Sequence, residues 1–159
     1  MLGLRIIAVG GQKEKDYSAA CDEYVKRLGA FCRPEIIELK ESRLPDSPSD
    51  SETAAALADE ARRILEKIPD RAFVVAAAVE GKILSSPELA GRLEAAMQTH
   101  PNVCFVIGSS FGLDDAVKAR ADLLLSFSRM TFPHRLFRVM LLEQVYRSFS
   151  IIKGTGYHK

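Results

Sequence analysis

The sequence predicts an α/β fold, a parallel sheet with helices on both faces, in a single domain over residues 1–159. Two observations predict it. Apolar runs of strand length alternate with segments of helical period, as expected of parallel strands joined by crossover helices. The length of 159 residues and the hydrophobic content of 47% suit one domain with one sizeable core.

Five apolar runs are the expected strands, and they cover residues 4–9, 34–39, 73–79, 102–107 and 123–125. The third run is uninterrupted, as in a strand buried on both faces, and Glu80, Gly81 and Lys82 are expected to turn the chain after it. The expected helices cover residues 17–28, closed by Gly29, then 53–67, a segment opening at Ser85, 114–120 and 134–153. Ser85 and Glu88 have the spacing of a capping box. Residues 40–52, with two prolines and four serines, are expected to form a loop.

Charge and cysteine content exclude several classes of protein. The net charge of +1 is not that of a nucleic-acid coat protein. No run approaches the roughly 20 apolar residues of a membrane span, and the amino terminus lacks a signal-peptide pattern. Cys21, Cys32 and Cys104 are odd in number and form no CxxC pair, so we expect neither disulfides nor a metal site. These features predict a reduced, cytoplasmic protein, with Cys104 in the core.

Most isolated polar motifs have a structural interpretation. Gly10 and Gly11 do not complete the GxGxxG pattern of a nucleotide-binding loop, so they indicate a turn that ends the first strand. Asp114 and Asp115 are better explained as helix-capping and first-turn residues than as a general acid and base. The three histidines lack metal-ligand spacing.

Two loops are better candidates for a ligand site. Residues 108–113 follow a buried strand at the carboxyl edge of the sheet, where open α/β folds bind ligands. Residues 128–134 also lie between a strand and a helix, and the two loops could line one crevice. Met130 and Phe132 suit an adenine face, although packing in the core explains them equally well.

The carboxyl-terminal part of the chain is locally basic. Residues 129–159 hold one acidic residue, Glu143, and a net charge of +5. A phosphate-binding face or a solvated helix face would explain the basic residues, which are Arg129, Arg135, Arg138, Arg147, Lys153 and Lys159. The first half of the final helix has almost no polar face, so we expect it to be covered all round, by the sheet and another helix or by a second subunit.

Five ordered segments together resemble one family, the bacterial RlmH enzymes of the SPOUT class, over essentially the whole chain. The segments are 77–82 (AAVEGK), 107–113 (IGSSFGL), 130–135 (MTFPHR), 143–147 (EQVYR) and the terminal 157–159 (YHK). The resemblance implies methylation of a pseudouridine at N3 in 23S ribosomal RNA, on the assembled ribosome, with S-adenosylmethionine as methyl donor. It also implies a trefoil-knotted fold and a homodimer with composite active sites.

The resemblance assigns cofactor binding to three segments, in which the positions are Ala77, Ala78, Gly108, Ser109, Gly112, Ser128, Arg129, Met130, Thr131, Phe132 and Pro133. This chain departs from the family twice. Ser109 stands where members usually have a second glycine, and Ala77 with Ala78 replace larger residues. We expect these departures to weaken cofactor affinity without abolishing it.

The terminal residues are the expected catalytic group. The N3 proton of the base must leave during methyl transfer, and His158 carries an imidazole, which changes protonation near neutral pH. His158 is therefore expected to act as a base or to orient the target base, on which Tyr157 could stack. Arg138, Arg147, Lys153 and Lys159 are expected to hold RNA phosphates.

Two other functions remain open from the residues alone. A non-enzymatic RNA- or ribosome-binding α/β protein would need the basic helix but neither ligand loop. A flavodoxin-like or Rossmann-like nucleotide enzyme would use the turn after the first strand, which lacks the phosphate-binding glycines.

Overall fold

The computed structural model describes residues 1–159 and contains one five-stranded parallel sheet in the order β2-β1-β4-β3-β5. The strands are β1 Gly3–Val9, β2 Arg33–Leu39, β3 Ala72–Ile83, β4 Asn102–Ile107 and β5 Leu123–Ser126. The helices are α1 Lys15–Leu28, α2 Asp50–Lys67, α3 Ser86–Met97, α4 Asp115–Arg120 and α5 His134–Lys153. The predicted α/β class is confirmed.

Helices cover both faces of the sheet. Alternate residues of β1 point to opposite faces, so Ile6 packs with α1, α3 and α5 while Ile7 packs with α2 and α4. None of the five helices combines the length and apolar character that a membrane crossing requires.

Cys104 is fully buried on β4, which confirms its predicted place in the core. Burial raises the pKa of Cys32 and of Cys104 to about 12, so neither thiol ionises at neutral pH.

Local capping signals explain where two helices begin. The Ser85 hydroxyl accepts a hydrogen bond from the Glu88 amide at 3.2 Å, and the Glu88 carboxylate accepts one from the Ser85 amide at 2.7 Å. The predicted capping box is thus confirmed. A second box joins Ser49 and Glu52, so α2 begins at Asp50, three residues earlier than predicted. The hydroxyl of Ser49 supplies a cap inside the segment predicted to be loop.

The turn predicted at Glu80, Gly81 and Lys82 is wrong, because β3 continues to Ile83. Ala77 and Lys82 both pair with Leu125 of β5, so the residues between them bulge out of the strand. Glycine is required in this bulge: a Cβ on Gly81 would lie 2.7 Å from the backbone of Leu124. The glycine therefore permits a close approach to β5 and does not end the strand.

The glycine turn after β1 supports α5. Gly10 has φ +100°, and its amide donates to the Leu39 carbonyl at 2.7 Å, so the predicted strand-ending turn is confirmed. Gln12 Nε2 donates to the Arg135 carbonyl at 2.9 Å. Because β5 is an edge strand beyond β3 and β4, residues 127–133 must cross the carboxyl edge of the sheet to reach α5.

The final helix is buried or half-buried from His134 to Ile152. Its apolar residues pack against the sheet and against α1 and α3, with Leu141, Leu142 and Phe149 in the core. Within one chain, the sheet and two helices therefore supply much of the cover that the sequence requires.

Candidate functional site

A cleft of about 600 Å³ opens at the carboxyl edge of the sheet. Three segments form it: the β3 bulge at 77–80, the loop after β4 at 107–113, and the segment from the end of β5 to the start of α5, which contributes 125–128 and 130–134. All predicted cofactor positions line this cleft except Arg129, which is exposed beside it. The two loops predicted to share a crevice are therefore brought together.

The loop after β4 is held in a tight turn. The Gly112 amide donates to the Ser109 carbonyl at 2.9 Å, and Gly112 has φ +92°, which favours glycine. A Cβ on Gly108 would lie 2.8 Å from the Gly112 carbonyl carbon, so only glycine fits there without displacing the loop. Ser109 is buried, and its backbone pairs with Gly112 in an isolated bridge. The serine that departs from the family pattern is thus accommodated in this turn.

The crossing segment presents apolar side chains to the cleft. Its first turn is fixed by the Ser128 hydroxyl, which accepts a hydrogen bond from the Met130 amide at 3.0 Å. Met130 is 75% exposed, and Phe111 on the facing loop is 51% exposed. Large apolar side chains this exposed on both sides of one cleft indicate a site that a ligand covers.

Charged groups are few in the cleft. Lys118 of α4 pairs with Glu80 of the β3 bulge at 2.6 Å, and this hydrogen bond lowers the pKa of the Glu80 carboxyl. His134 also lines the cleft. Asp114 caps α4 by accepting from the Ala116 amide at 2.8 Å, as predicted. No group of three or more His, Cys, Asp or Glu side chains is arranged to hold a metal ion.

The predicted catalytic residues lie outside the cleft of their own chain. Tyr157 packs on α5, with its ring 4.9 Å from that of Tyr146 and its hydroxyl 3.1 Å from the Glu143 carboxylate. Arg147 lies over the Tyr157 ring at 4.8 Å and donates to His158 Nδ1 at 3.1 Å. Glu143 also accepts a hydrogen bond from Arg147. The Glu143 carboxylate therefore binds Tyr157 directly and binds His158 through Arg147.

The environment of Tyr157 predicts a pH effect. Burial, with contacts to Tyr24 and Glu143 as further causes, raises the pKa of Tyr157 to about 12. A tyrosine in an unfolded chain ionises near pH 10. The contribution of Tyr157 to the free energy of unfolding is therefore complete below about pH 10, and it is lost as the pH rises towards 12. Ultraviolet titration curves of the wild type and of Tyr157→Phe can be subtracted from one another. We expect the difference to show one phenol that ionises with a midpoint near pH 12. A midpoint near 10 would show that the tail does not dock in this way.

The basic residues of the carboxyl-terminal part do not form one face. Arg138 is buried and paired with Glu38 at 2.6 Å, so the prediction that it contacts RNA phosphate is wrong. Arg135 pairs with Glu14 and Arg147 with Glu143. Arg129, Lys153 and Lys159 are exposed and make no ion pair within the chain. Glu38 of β2 and Glu14 of the β1–α1 turn are remote in sequence from α5, and they neutralise Arg138 and Arg135. The net charge of residues 129–159 alone therefore overestimates the positive charge of this surface.

Sequence reasoning missed several residues of the cleft. Lys118 and Glu80 meet only through the fold, and Phe127 and Phe137 belong to apolar runs whose ordinary reading is the core. Glu80 and Phe127 lie in or next to a strand end at the carboxyl edge, and this position was the only signal for them. Lys118 and Phe137 lie inside α4 and α5, where no sequence signal pointed to the cleft.

Residues 2–158 match the family described as "Predicted SPOUT methyltransferase". A solved structure described as a probable methylase family protein from Haemophilus influenzae Rd KW20 aligns with a TM-score of 0.57, covering all of this chain and 72% of that one. At 13% identity it shows the fold alone. The fold is therefore that of a SPOUT methyltransferase.

Curated relatives refine this class. A Clostridium beijerinckii protein is 48% identical over 99% of this chain and 100% of its own length, and one from Oenococcus oeni is 47% identical over the whole of both chains. A Streptococcus thermophilus protein is 46% identical over 98% of this chain and 99% of its own. Each is named "Ribosomal RNA large subunit methyltransferase H". The chain belongs to the ribosomal RNA large subunit methyltransferase H family.

Proposed function

We propose that this chain transfers a methyl group from S-adenosylmethionine to N3 of a pseudouridine in 23S ribosomal RNA, on the assembled ribosome. The names of relatives that are 46–48% identical over almost the full length support the RNA substrate. The observation that carries the proposal is the cleft itself. It forms where the loops 108–112 and 128–133 meet, and the family resemblance assigns cofactor binding to those same loops.

The cleft fits such a cofactor in size and chemistry. A volume of about 600 Å³ lies within the usual range for small-ligand pockets. Gly112 is exposed and has no side chain to block close approach to the backbone, and the side chains of Met130 and Phe132 offer apolar surface for an adenine. S-adenosylmethionine, when bound, supplies an electrophilic methyl group. The chain's part is to hold that methyl in line with the target nitrogen and to exclude water.

We propose that the active unit is a homodimer with composite sites. His158 and Tyr157 do not line the cleft of their own chain, so a second copy would have to bring them to it. A groove of about 500 Å³ between α3 and α5 offers a surface for that copy. Its walls include Tyr24, Leu89, Phe127 and Met140. The trefoil knot that the family resemblance implies is part of this proposal.

The geometry of the tail favours an orienting role for His158 over a basic one. A guanidinium can only donate hydrogen bonds, so Nδ1 of His158 must accept from Arg147 and carries no proton in this arrangement. The neutral ring then has its proton on Nε2, which can donate to a carbonyl oxygen of the target base. That bond would strengthen as N3 releases its proton to solvent water and negative charge spreads to the carbonyl. Lys153 and Lys159, both exposed, remain the proposed phosphate contacts, with Arg147 acting mainly through His158.

Tritiated S-adenosylmethionine tests this function. We expect label to enter 23S ribosomal RNA when the protein is incubated with intact ribosomes lacking the modification, and to enter free 23S RNA far more slowly. Mapping should place the label at a pseudouridine N3. RNA retained by the protein without label would instead indicate a non-enzymatic RNA-binding protein, and neither label nor binding would contradict both interpretations.

A further inference from the structure

One buried arginine joins the final helix to the carboxyl ends of two strands. Arg138 is 3% exposed in the second turn of α5. Its Nη1 donates to Glu38 Oε2 of β2 at 2.6 Å, and its Nη2 donates to the Gly10 carbonyl after β1 at 2.8 Å. The guanidinium therefore fixes the start of α5 relative to both β1 and β2.

A second set of hydrogen bonds strengthens this attachment. The Gln12 amide donates to Glu38 Oε2 at 2.8 Å, so one carboxylate accepts from both Arg138 and the β1–α1 turn. The Gln12 side chain in turn donates to the Arg135 carbonyl. The hydrogen bond from Arg138, and to a smaller extent the one from the Gln12 backbone amide, holds the pKa of the Glu38 carboxyl below its usual range, so the carboxylate is charged at neutral pH. Charge-assisted bonds made by a buried guanidinium restrict a segment to one geometry.

The attachment lies directly behind the cleft. Residues 130–134 line the cleft and lead into α5 without an intervening linker. Phe137, which precedes Arg138, also lines the cleft, and its amide donates to the Pro133 carbonyl at 2.9 Å. A shift of the first two turns of α5 would therefore move one wall of the cleft.

We propose that Arg138 is a positioning residue for the cofactor, which it never touches: held by Glu38 and Gly10, it sets the place of the 130–134 wall through α5. This inference rests on the proposed function, because it takes S-adenosylmethionine as the ligand of the cleft.

The chain contains a matched control at the opposite edge of the same strands. Arg5 of β1 donates to Glu35 Oε2 of β2 at 2.9 Å and to the Lys67 carbonyl at 2.7 Å. Like Arg138, this arginine joins a β2 glutamate and a backbone carbonyl, but at the amino edge, where no cofactor residue lies. A purely structural role for Arg138 predicts similar behaviour of the two pairs.

The test compares Arg138→Met, Arg138→Lys and Glu38→Gln with Arg5→Met and Glu35→Gln in the full-length protein. We expect isothermal titration to show the Kd for S-adenosylmethionine raised about tenfold in Arg138→Met and Glu38→Gln, with partial recovery in Arg138→Lys. The KM for the cofactor should rise together with this Kd, while kcat changes less. The Arg5 and Glu35 variants should lower Tm without changing this Kd.

Glu38→Gln decides the matter if Arg138→Met does not fold, because Glu38 is about half exposed and its replacement keeps the side-chain shape. An unchanged Kd in Glu38→Gln, or equal changes in Glu38→Gln and Glu35→Gln, would overturn the inference. Hydrogen exchange without cofactor separates it from the proposed function. Faster exchange of residues 130–134 in Glu38→Gln, but not in Glu35→Gln, would support the positioning role even if the wild type binds no S-adenosylmethionine. Unchanged exchange in Glu38→Gln would contradict it.

Discussion

Deleting residues 157–159 is expected to lower ribosome methylation by about 100-fold or more while leaving the Kd for S-adenosylmethionine unchanged. The reason is spatial separation: Tyr157 and His158 pack on α5 through Glu143 and Arg147, and none of the three deleted residues lines the cleft. Single-turnover methylation and isothermal titration measure the two quantities. Equal losses in both would mean that the tail contributes to cofactor binding and does not act on the target base alone.

A mixed dimer tests whether the tail acts on the partner's cleft. Two tagged chains can be co-expressed, one lacking residues 157–159 and the other carrying Gly108→Val in an otherwise intact chain. Each homodimer should be inactive, whereas the mixed dimer has one intact cleft facing one intact tail and should regain about half of the wild-type rate. A mixed dimer as inactive as its parents would exclude a composite site.

Gly108→Val is expected to weaken S-adenosylmethionine binding by about 100-fold or more. Even a Cβ at this position would lie 2.8 Å from the Gly112 carbonyl carbon and 2.9 Å from Leu113 Cδ2, so valine must displace the loop that lines the cleft. Gly108→Ala should have a smaller effect in the same direction. Isothermal titration gives the affinity, and circular dichroism shows whether the rest of the sheet remains folded.

Gly91→Ala is the control for this substitution. Gly91 is exposed in α3, where an added Cβ would meet nothing within 4 Å. We expect this change to stabilise the protein by about 0.5–1 kcal/mol, because alanine is the better helix former, and to leave cofactor affinity unchanged. If Gly108→Val binds S-adenosylmethionine as Gly91→Ala does, the loop after β4 is not part of the site.

The sequence was sufficient wherever a structure depends on neighbours in the chain. The capping box at Ser85 and the glycine turn at Gly10 were predicted because their signals lie within a few residues. The β3 bulge was not predicted, since the reason for Gly81 is the backbone of Leu124, more than 40 residues later. The early start of α2 was a missed local signal, because Ser49 and Glu52 have the same spacing as Ser85 and Glu88.

The candidate site divides in the same way. The loops at 108–112 and 128–133 could be predicted because each follows a strand, and the carboxyl ends of parallel strands lie at one edge. Arg138 could not be interpreted correctly from a count of charges, because its partner Glu38 is 100 residues away and removes it from the surface. A lone arginine among Leu136, Leu141 and Leu142 is, in retrospect, the pattern of a buried arginine with an acidic partner elsewhere in the chain.

The attachment of α5 to the β1 turn also bears on when the site can form during synthesis. The wall at 130–134 continues into α5, whose Arg135 and Arg138 bind parts of the chain made near the start. A growing chain that stops before these residues has the glycine turn at Gly10 and the loop after β4, but it lacks the hydrogen bonds that join the start of α5 to β1 and β2. Cofactor binding should therefore be among the last properties that a nascent chain acquires, after the sheet that supports it.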